Sequence, residues 1–172
     1  MAIRDIVTVP DPVLRKTSTP FAHVDESVGA LIDDMLESMY ASNGIGLAAI
    51  QTGLPKRLVV ADVIDGAETS APVALINPEI VWRSDETSLY SEGCLSIPEY
   101  YAEVERPARC HIDFIDRQGE RDRIEAEGLL ATCLQHEIDH LDGVLFIDYL
   151  SRLKRNMIIR KMTKATRGVP AL

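Results

Sequence analysis

Two histidines and a glutamate lie in a mostly apolar segment of the chain, LLATCLQHEIDHL at residues 129–141. The segment predicts a helix that ends near Gly143. Because His136 and His140 are four residues apart, both imidazoles lie on one helical face, with Glu137 beside them. Burying such side chains costs on the order of several kcal/mol unless they are paired or bound to a metal. The fold must therefore enclose this helix and give its polar groups partners.

The spacing His-Glu-x-x-His is typical of metal-dependent hydrolases, in which the histidines bind the metal and the glutamate handles a proton of water. The alternative is a solvated helix face, which the apolar flanks disfavour. A catalytic metal also needs a third protein ligand. After His140 only Asp142 and Asp148 remain, neither in a distinctive context. Cys94, in the glycine-containing segment SEGCLSIP, is the better candidate for a thiolate ligand.

A third segment with an unusual composition is GIGLAAIQ at residues 44–51. Its glycines invite a phosphate-loop interpretation, but no Lys-Ser or Lys-Thr pair follows, so we reject it. The glycines instead favour a backbone that passes close to a ligand, where side chains would obstruct it. Gln51 then supplies an amide donor at the end of the segment.

Periodic apolar residues predict further helices at 28–40 and, less completely, in 151–167. Strand-like segments lie between the helices, at 57–63, 74–76, 80–82, 102–105, 110–116 and 123–127. Helices at both ends of the chain with strands between them indicate an α+β fold rather than repeated βαβ units. The 172 residues contain no repeat or convincing linker, so we expect one domain spanning 1–172.

Composition narrows the class of protein. A hydrophobic fraction of 46% with a charged fraction of 26% excludes a disordered chain. Three cysteines, Cys94, Cys110 and Cys133, are too few for a disulfide framework, and no apolar run approaches the roughly 20 residues of a membrane span. The N-terminal segment lacks the apolar core of a signal peptide. We therefore expect a cytoplasmic protein with reduced thiols and no membrane partner.

The charge is unevenly distributed along the chain. All 27 acidic residues precede residue 149, whereas seven of the 18 basic residues follow Ser151. An acidic body argues against DNA as a partner, but a basic C-terminal helix at about 151–167 could contact phosphate. The alternative for this tail is an ordinary solvated helix face.

Taken together, GIGLAAIQ, EGCLS and QHEIDHLDG resemble the three motifs of the peptide deformylases, in the same order and with similar spacing. The segments VPDPVLRKTSTPF, ERP and FIDYLSRLKR also resemble the bacterial form of that family. The resemblance implies hydrolysis of the N-formyl group from the formylmethionine of nascent polypeptides, with release of formate. It also implies an α+β fold with mixed, largely antiparallel sheets around the HExxH helix.

The resemblance further implies one divalent metal held by Cys94, His136 and His140, with water in the fourth position. Glu137 would act as general base and then as general acid. The side-chain amide of Gln51 and the backbone N–H of Leu95 would face the developing oxyanion. A Cys-His-His set suits zinc, iron(II), cobalt or nickel, and the family favours iron(II).

The methionine side chain of the substrate requires an apolar pocket. The residues that the resemblance places at the substrate are Gly44, Ile45, Gly46, Tyr90, Glu92, Leu129, Thr132, Cys133 and His136. The four at 129, 132, 133 and 136 fall on one helical face, which supports a pocket wall independently. The two glycines would let the substrate backbone pair with the loop as an added strand.

Three further residues have less specific interpretations. Cys133 either lines the pocket or fills the core, and the sequence favours neither. Arg106 either pairs with Glu92, as in the family, or forms an ordinary surface salt bridge. Cys110 alternates with apolar residues on a predicted strand and is expected in the core.

Two other functions compete with deformylation. The HExxH motif alone would also fit a metallopeptidase, against which Cys94 and the Gly-Gln segment argue. A non-catalytic metal- or RNA-binding module using the basic tail is the second, against which Glu137 and Gln51 argue. By the resemblance, the tail is expected to bring the enzyme to the ribosome.

Overall fold

The computed structural model of the chain describes residues 2–64 and 69–167. In these ranges the chain forms three helices, α1 (Glu26–Ala41), α2 (Gly128–Leu141) and α3 (Arg152–Arg167). The strands in the same ranges are β1 (Gly46–Ala48), β2 (Leu58–Ala61), β3 (Val73–Arg83), β4 (Thr87–Cys94), β5 (Ile97–Pro107), β6 (Arg109–Ile115) and β7 (Arg121–Glu127). The predicted helices are present with bounds correct to within two residues, and the α+β class is confirmed.

The strands form two sheets. The larger has the order β1-β2-β3-β6-β7, and β4 pairs with β5 in a separate hairpin. Every strand pair in both sheets is antiparallel, and a parallel pairing occurs as an isolated bridge between Thr19 and Lys56. The hairpin places the end of β4 beside α2, which brings the second and third motifs together.

Strand β2 explains how α1 and α2 pack on opposite faces of the larger sheet. Leu58 and Val60 belong to the apolar cluster that contains the buried face of α1, whereas Val59 and Ala61 belong to the cluster that contains α2. Successive side chains of a strand point to opposite faces, so all four are buried. The predicted strand at 57–63 reads as a continuous apolar run for this reason.

A third apolar cluster joins the N-terminal segment, the β4–β5 hairpin and α3. It contains Val9, Ile97 and Phe146, and Ile158 and Met162 of α3 pack into it. The partial apolar stripe of the tail therefore anchors α3 to the body of the protein.

Strand β3 differs from its prediction, because 74–76 and 80–82 belong to one strand rather than two. Asn77 adopts a left-handed conformation with φ of 51°, and the register with β6 shifts between Ile76 and Glu79. A bulge tolerates a proline that cannot donate to the ladder, and Asn tolerates positive φ. The Asn77-Pro78 pair therefore bends the strand without ending it.

The hairpin was only partly predicted from the sequence. Strand β4 was not predicted, and the segment 102–105 covers less than half of β5. Side chains of β4 are mostly exposed or half-buried, because a two-stranded sheet buries little of its surface. The alternation of apolar and polar residues is correspondingly weak there.

Within residues 2–64 and 69–167, no helix has the length and apolar content that crossing a bilayer requires.

Candidate metal centre and active site

The motif-bearing helix α2 is enclosed by the rest of the protein. It begins directly after β7 at Gly128, where φ is +60°, and its C-terminal end is followed by Gly143 with φ of +75°. His136, Glu137 and His140 are 7%, 5% and 0% exposed. The interpretation of these residues as a solvated helix face is therefore wrong.

Cys94 meets the two histidines from the opposite side, at the end of β4. Its Sγ atom lies 3.4 Å from Nε2 of His140. One ligand atom from each of Cys94, His136 and His140 lies within 4.8 Å of the other two. In the described part of the chain this is the one group of three metal-ligating side chains with that geometry.

The two aspartates that the sequence left open as third ligands have other partners. Asp142 accepts a hydrogen bond from Arg57 at 3.0 Å. Asp148 pairs with Arg15 through two hydrogen bonds of 2.6 and 3.0 Å. Neither belongs to the Cys-His-His cluster.

The buried groups of the cluster fit a metal ion. Among the described residues, Nδ1 of His140 and Oε2 of Glu137 are buried without a hydrogen-bond partner. Thiolate and imidazole ligands together suit zinc and other divalent first-row metals. A cation held by Sγ of Cys94, Nε2 of His140 and the ring of His136 would offset the cost of burying these ligands together, and it would leave the Glu137 carboxylate free to handle a proton.

A network of buried hydrogen bonds orients His136. Glu92 accepts from Nδ1 of His136 at 2.9 Å, and it also receives two hydrogen bonds from Arg106 at 2.7 and 2.9 Å. Arg106 donates to Asp139 at 2.8 Å, and the Tyr149 hydroxyl donates to the same carboxylate oxygen at 2.7 Å. With Nδ1 engaged, Nε2 of His136 is the nitrogen left for a metal.

The predicted pairing of Arg106 with Glu92 is confirmed as a buried ion pair, since both side chains are 4% exposed. The surface salt-bridge alternative is wrong. Asp139 and Tyr149 were not predicted, and no spacing or composition signal in the sequence connects them to Arg106.

Burial and the neighbouring charges shift the ionisation of the site. Burial raises the pKa of Glu137 to about 7. Burial also lowers the pKa of His140 well below its ordinary value, which keeps a lone pair available on its ring. Burial alone would raise the pKa of Glu92, but the hydrogen bonds with His136 and Arg106 lower it. Glu92 is therefore a carboxylate held against the His136 ring.

Gln51 is buried, and its amide has a fixed orientation. Its Oε1 accepts the backbone N–H of Ala48 at 2.9 Å, so the amide nitrogen points toward Ser96 Oγ at 3.1 Å and Cys94 Sγ at 3.5 Å. An N–H donor is thus directed at the cluster. Ser96 was not predicted, although its position two residues after Cys94 is the local signal for it.

A cavity of about 90 Å³ lies beside His136 and Glu137. It is lined by Ile45, Tyr90, Ser91, Glu92, Gly93, Leu129, Thr132, Cys133, His136 and Glu137. The predicted wall on α2 is present, because Leu129, Thr132 and Cys133 share one face of the helix. Cys133 both lines this cavity and belongs to the core cluster around α2, and burial raises the pKa of its thiol. Cys110 is fully buried, as expected.

A groove of about 440 Å³ leads away from Glu137, between residues 42–46 and residues 97–101. Gly46, the first residue of strand β1, lines it. Among the described residues β1 pairs with β2 alone, so its other edge is open. Leu95, which follows Cys94 in the turn of the hairpin, also lines the groove.

Both glycines of the first motif lie where a side chain would collide. A Cβ atom on Gly46 would lie 2.7 Å from Cys133 Sγ and 2.9 Å from Glu137 Oε1. A Cβ atom on Gly44 would lie 2.7 Å from Cδ1 of Leu95. The backbone therefore passes as close to the site as the sequence predicts.

Comparisons with known proteins agree with this geometry. The family described as polypeptide deformylase matches residues 3–156. The peptide deformylase of Rhizobium meliloti (strain 1021) is 59% identical over 174 residues, covering 100% of each chain. That of Bartonella tribocorum is 58% identical over 95% of this chain and 93% of its own.

Solved structures give the same result. Peptide deformylase from Ehrlichia chaffeensis superposes with a TM-score of 0.92 at 43% identity, covering 96% of this chain and 98% of that one. The same enzyme in complex with actinonin gives a TM-score of 0.93 at 44% identity, covering 97% and 99%. The resemblance first noted in three short motifs extends over the whole fold. This chain belongs to the peptide deformylase family, the hydrolases that remove the N-formyl group from nascent polypeptides.

Proposed function

We propose that Cys94, His136 and His140 hold one divalent cation and that Glu137 transfers protons during removal of the formyl group. The convergence of three ligand atoms within 4.8 Å, next to a buried carboxylate, is the observation that carries this proposal. When bound, such a cation supplies Lewis acidity that lowers the pKa of its water by many units, to about 7.

Residues of the chain carry out proton transfer, stabilisation of the oxyanion and orientation of a metal ligand. Glu137 accepts a proton from the attacking water and then returns it to the departing α-amine of methionine. The amide N–H of Gln51 and the backbone N–H of Leu95 donate to the oxyanion that develops on the formyl oxygen. One such donor is typically worth about 3–4 kcal/mol in the transition state. Glu92 holds the ring of His136 in the orientation that ligation requires.

The substrate is proposed to bind in two parts. The methionine side chain occupies the cavity walled by Tyr90, Glu92, Leu129, Thr132 and Cys133. The peptide backbone adds at the unpaired edge of β1, beside Gly44, Ile45 and Gly46, as one further strand of the larger sheet. An unpaired strand edge and a groove of about 440 Å³ lined by Gly44, Ile45 and Gly46 support this arrangement.

A peptide assay separates this function from that of a metallopeptidase. The same preparation is given formyl-Met-Ala and unformylated Met-Ala-Ser. We expect formate release from the first peptide and no cleavage of the second. Cleavage of an internal bond in Met-Ala-Ser, with the formyl group of the other peptide untouched, would contradict the proposal.

Iron(II) is the proposed native metal, with zinc, nickel or cobalt as replacements that the same ligands accept. Protein purified without oxygen is analysed for metal content and for activity per bound metal. We expect one ion per chain and the highest activity with iron(II). Equal activity with each metal, or most activity with zinc, would overturn the assignment of iron.

We also propose that residues 1–172 form one catalytic domain and that the protein acts in the cytoplasm. Within this domain, α3 contacts ribosomal RNA near the emerging polypeptide. Its apolar residues Ile158 and Met162 face the core, while basic residues are exposed to solvent, including Lys154, Lys161 and Lys164. Truncation after Ser151 would also remove core contacts, so a charge variant is the sharper test.

Replacing Lys154, Lys161 and Lys164 by glutamate should weaken co-sedimentation with ribosomes at low salt and leave turnover of a free peptide unchanged. Unchanged co-sedimentation would remove the ribosome contact. Retained RNA binding by a chain that releases no formate would favour the non-catalytic module instead.

A further inference from the structure

A buried carboxylate outside the catalytic cluster gathers three hydrogen-bond donors. Asp62 follows β2 directly and is 7% exposed. It accepts the hydroxyl of Tyr40 at 2.6 Å, the hydroxyl of Ser70, and the backbone N–H of Ala71 at 3.1 Å. The hydrogen bonds from Ser70 and Tyr40 lower the pKa of Asp62, so it is an anion at neutral pH.

The same residue also holds the substrate-binding edge through its backbone. The N–H of Asp62 donates to the carbonyl of Ile45 at 2.9 Å. Ile45 lies between the two glycines of the first motif and lines both the cavity and the groove. Asp62 itself lines neither, so it acts on this region only through its contacts.

Tyr40 connects the carboxylate to the start of the same segment. It lies in the last turn of α1, and the Gly44 N–H returns to the carbonyl of Met39 at 2.9 Å. Residues 40–46 are therefore fixed at their beginning by the Tyr40 side chain and near their end by the Ile45 carbonyl. Both fixed points are contacts with Asp62.

This segment needs an anchor because its own backbone supplies little order. Gly44 and Gly46 lose more conformational entropy on ordering than other residues would. Strand β1 has three residues and pairs with β2 alone among the described strands. The clearance is small, since Gly46 passes Cys133 and Glu137 too closely for a side chain.

We propose that Asp62 and Tyr40 are positioning residues for the substrate backbone, holding residues 43–46 in the register that an incoming peptide pairs with. This inference rests on the proposed addition of the peptide to the edge of β1. Asp62 and Tyr40 should therefore affect binding of the substrate residues that follow methionine, because the methionine pocket is formed mainly by α2 and β4.

The test compares two substrates that differ in backbone length. Formyl-Met-Ala-Ser can pair along β1, whereas formyl-Met amide has little backbone to pair. For Asp62→Asn, which cannot accept all three donors, kcat/KM for the tripeptide should fall about tenfold, mainly through KM. The value for formyl-Met amide should change by less than about twofold. Tyr40→Phe should give a smaller loss with the same substrate dependence.

A matched control removes a carboxylate charge at a different site, on α1. Asp33 pairs with Arg117 at 2.7 Å and is exposed, so Asp33→Asn should leave both substrates unaffected. Because Asp62 and Tyr40 share one hydrogen bond, the double variant should lose less than the product of the two single losses.

The outcomes separate positioning from a purely structural role. An equal loss on both substrates, or no loss on either, would overturn the proposal. If Asp62→Asn fails to fold, Tyr40→Phe decides the question alone, since it removes one hydroxyl. Failure of the unaltered enzyme to release formate from either substrate would instead refute the proposed function.

Discussion

Gly46 lies where the edge strand passes closest to α2. Its Cα has Cys133 Sγ and the Glu137 side chain on the side where a Cβ atom would project. The glycine serves close approach rather than backbone flexibility, because its φ is not positive. Any side chain here must displace either the backbone beside the proposed substrate groove or the carboxylate proposed to transfer protons.

Gly46→Ala should therefore reduce kcat/KM by about 100-fold, since a displacement of roughly 1 Å at a reacting group can cost that much. It should also lower the free energy of unfolding by about 1–3 kcal/mol through overpacking. Steady-state kinetics and urea denaturation measure the two effects. Gly29→Ala is the control, because its Cβ would meet Arg117 at an ordinary 3.7 Å.

Adding Cys133→Ala to Gly46→Ala should restore part of both losses, because the nearest colliding atom is removed. Full activity of Gly46→Ala on its own would show that the close approach has no functional importance.

The sequence predicted the residues that a local pattern marks. It missed the residues whose role depends only on a contact that is distant in the chain. His136, Glu137 and His140 follow from the helical period alone, and the glycine context marked Cys94. Asp139 also lies on α2, but its role depends on Arg106, which is 33 residues away in the chain. No periodicity encodes such a contact, so only the folded structure reveals it.

At the scale of elements, a buried ion pair within the β4–β5 hairpin also connects the hairpin to α2. Glu92 of β4 binds both Arg106 of β5 and His136 of α2. This pair lies behind the proposed ligands and has almost no contact with solvent. The hairpin was also the element that sequence periodicity predicted least well, because a two-stranded sheet has no continuous buried face.

Glu92→Gln should weaken metal binding by about 10- to 100-fold, because the amide no longer holds the His136 ring as a carboxylate does. It should also lower the free energy of unfolding of the metal-free protein by about 3–5 kcal/mol, since Arg106 loses a buried partner. Chelator competition and denaturation of the metal-free protein measure these effects. Glu103→Gln, at an exposed position of β5, is the control. Unchanged metal affinity in Glu92→Gln would contradict this account of His136.

At the scale of the whole molecule, ion pairs tie the ends of the chain to its body. Arg15, in the short 3₁₀ helix Pro12–Arg15, binds Asp148, in the 3₁₀ helix Phe146–Tyr149 that precedes α3. Burial would raise the pKa of Asp148, but the hydrogen bonds from Arg15 and the Leu145 N–H outweigh it and lower that pKa. The contact therefore stabilises the fold only while Asp148 is ionised.

Because the pKa of Asp148 is lowered in the folded protein, its contribution to the free energy of unfolding decreases at low pH. The stabilisation is fully present above the ordinary carboxyl pKa of 3.8 and is lost as the pH falls through the lowered value. Asp148→Asn should lower the free energy of unfolding by about 1 kcal/mol at pH 7, a modest value because solvent screens the pair. The difference from the unaltered protein should shrink toward pH 3.

Urea denaturation at a series of pH values measures this difference. Asp142→Asn is the control, because its carboxylate, which pairs with Arg57, is more exposed than that of Asp148. A difference for Asp148→Asn that stays constant from pH 7 to pH 3 would show that the carboxylate charge is not what stabilises the contact.

The central claim is that one metal at Cys94, His136 and His140, together with Glu137, hydrolyses the formyl amide. Formate release from formyl-Met-Ala-Ser, measured together with metal content for the unaltered enzyme and for Glu137→Ala, tests it most directly. We expect both proteins to bind one metal per chain and turnover to fall by a factor of about 10²–10⁴ in the variant. Substantial formate release by metal-loaded Glu137→Ala, or by the unaltered chain stripped of metal, would contradict the claim.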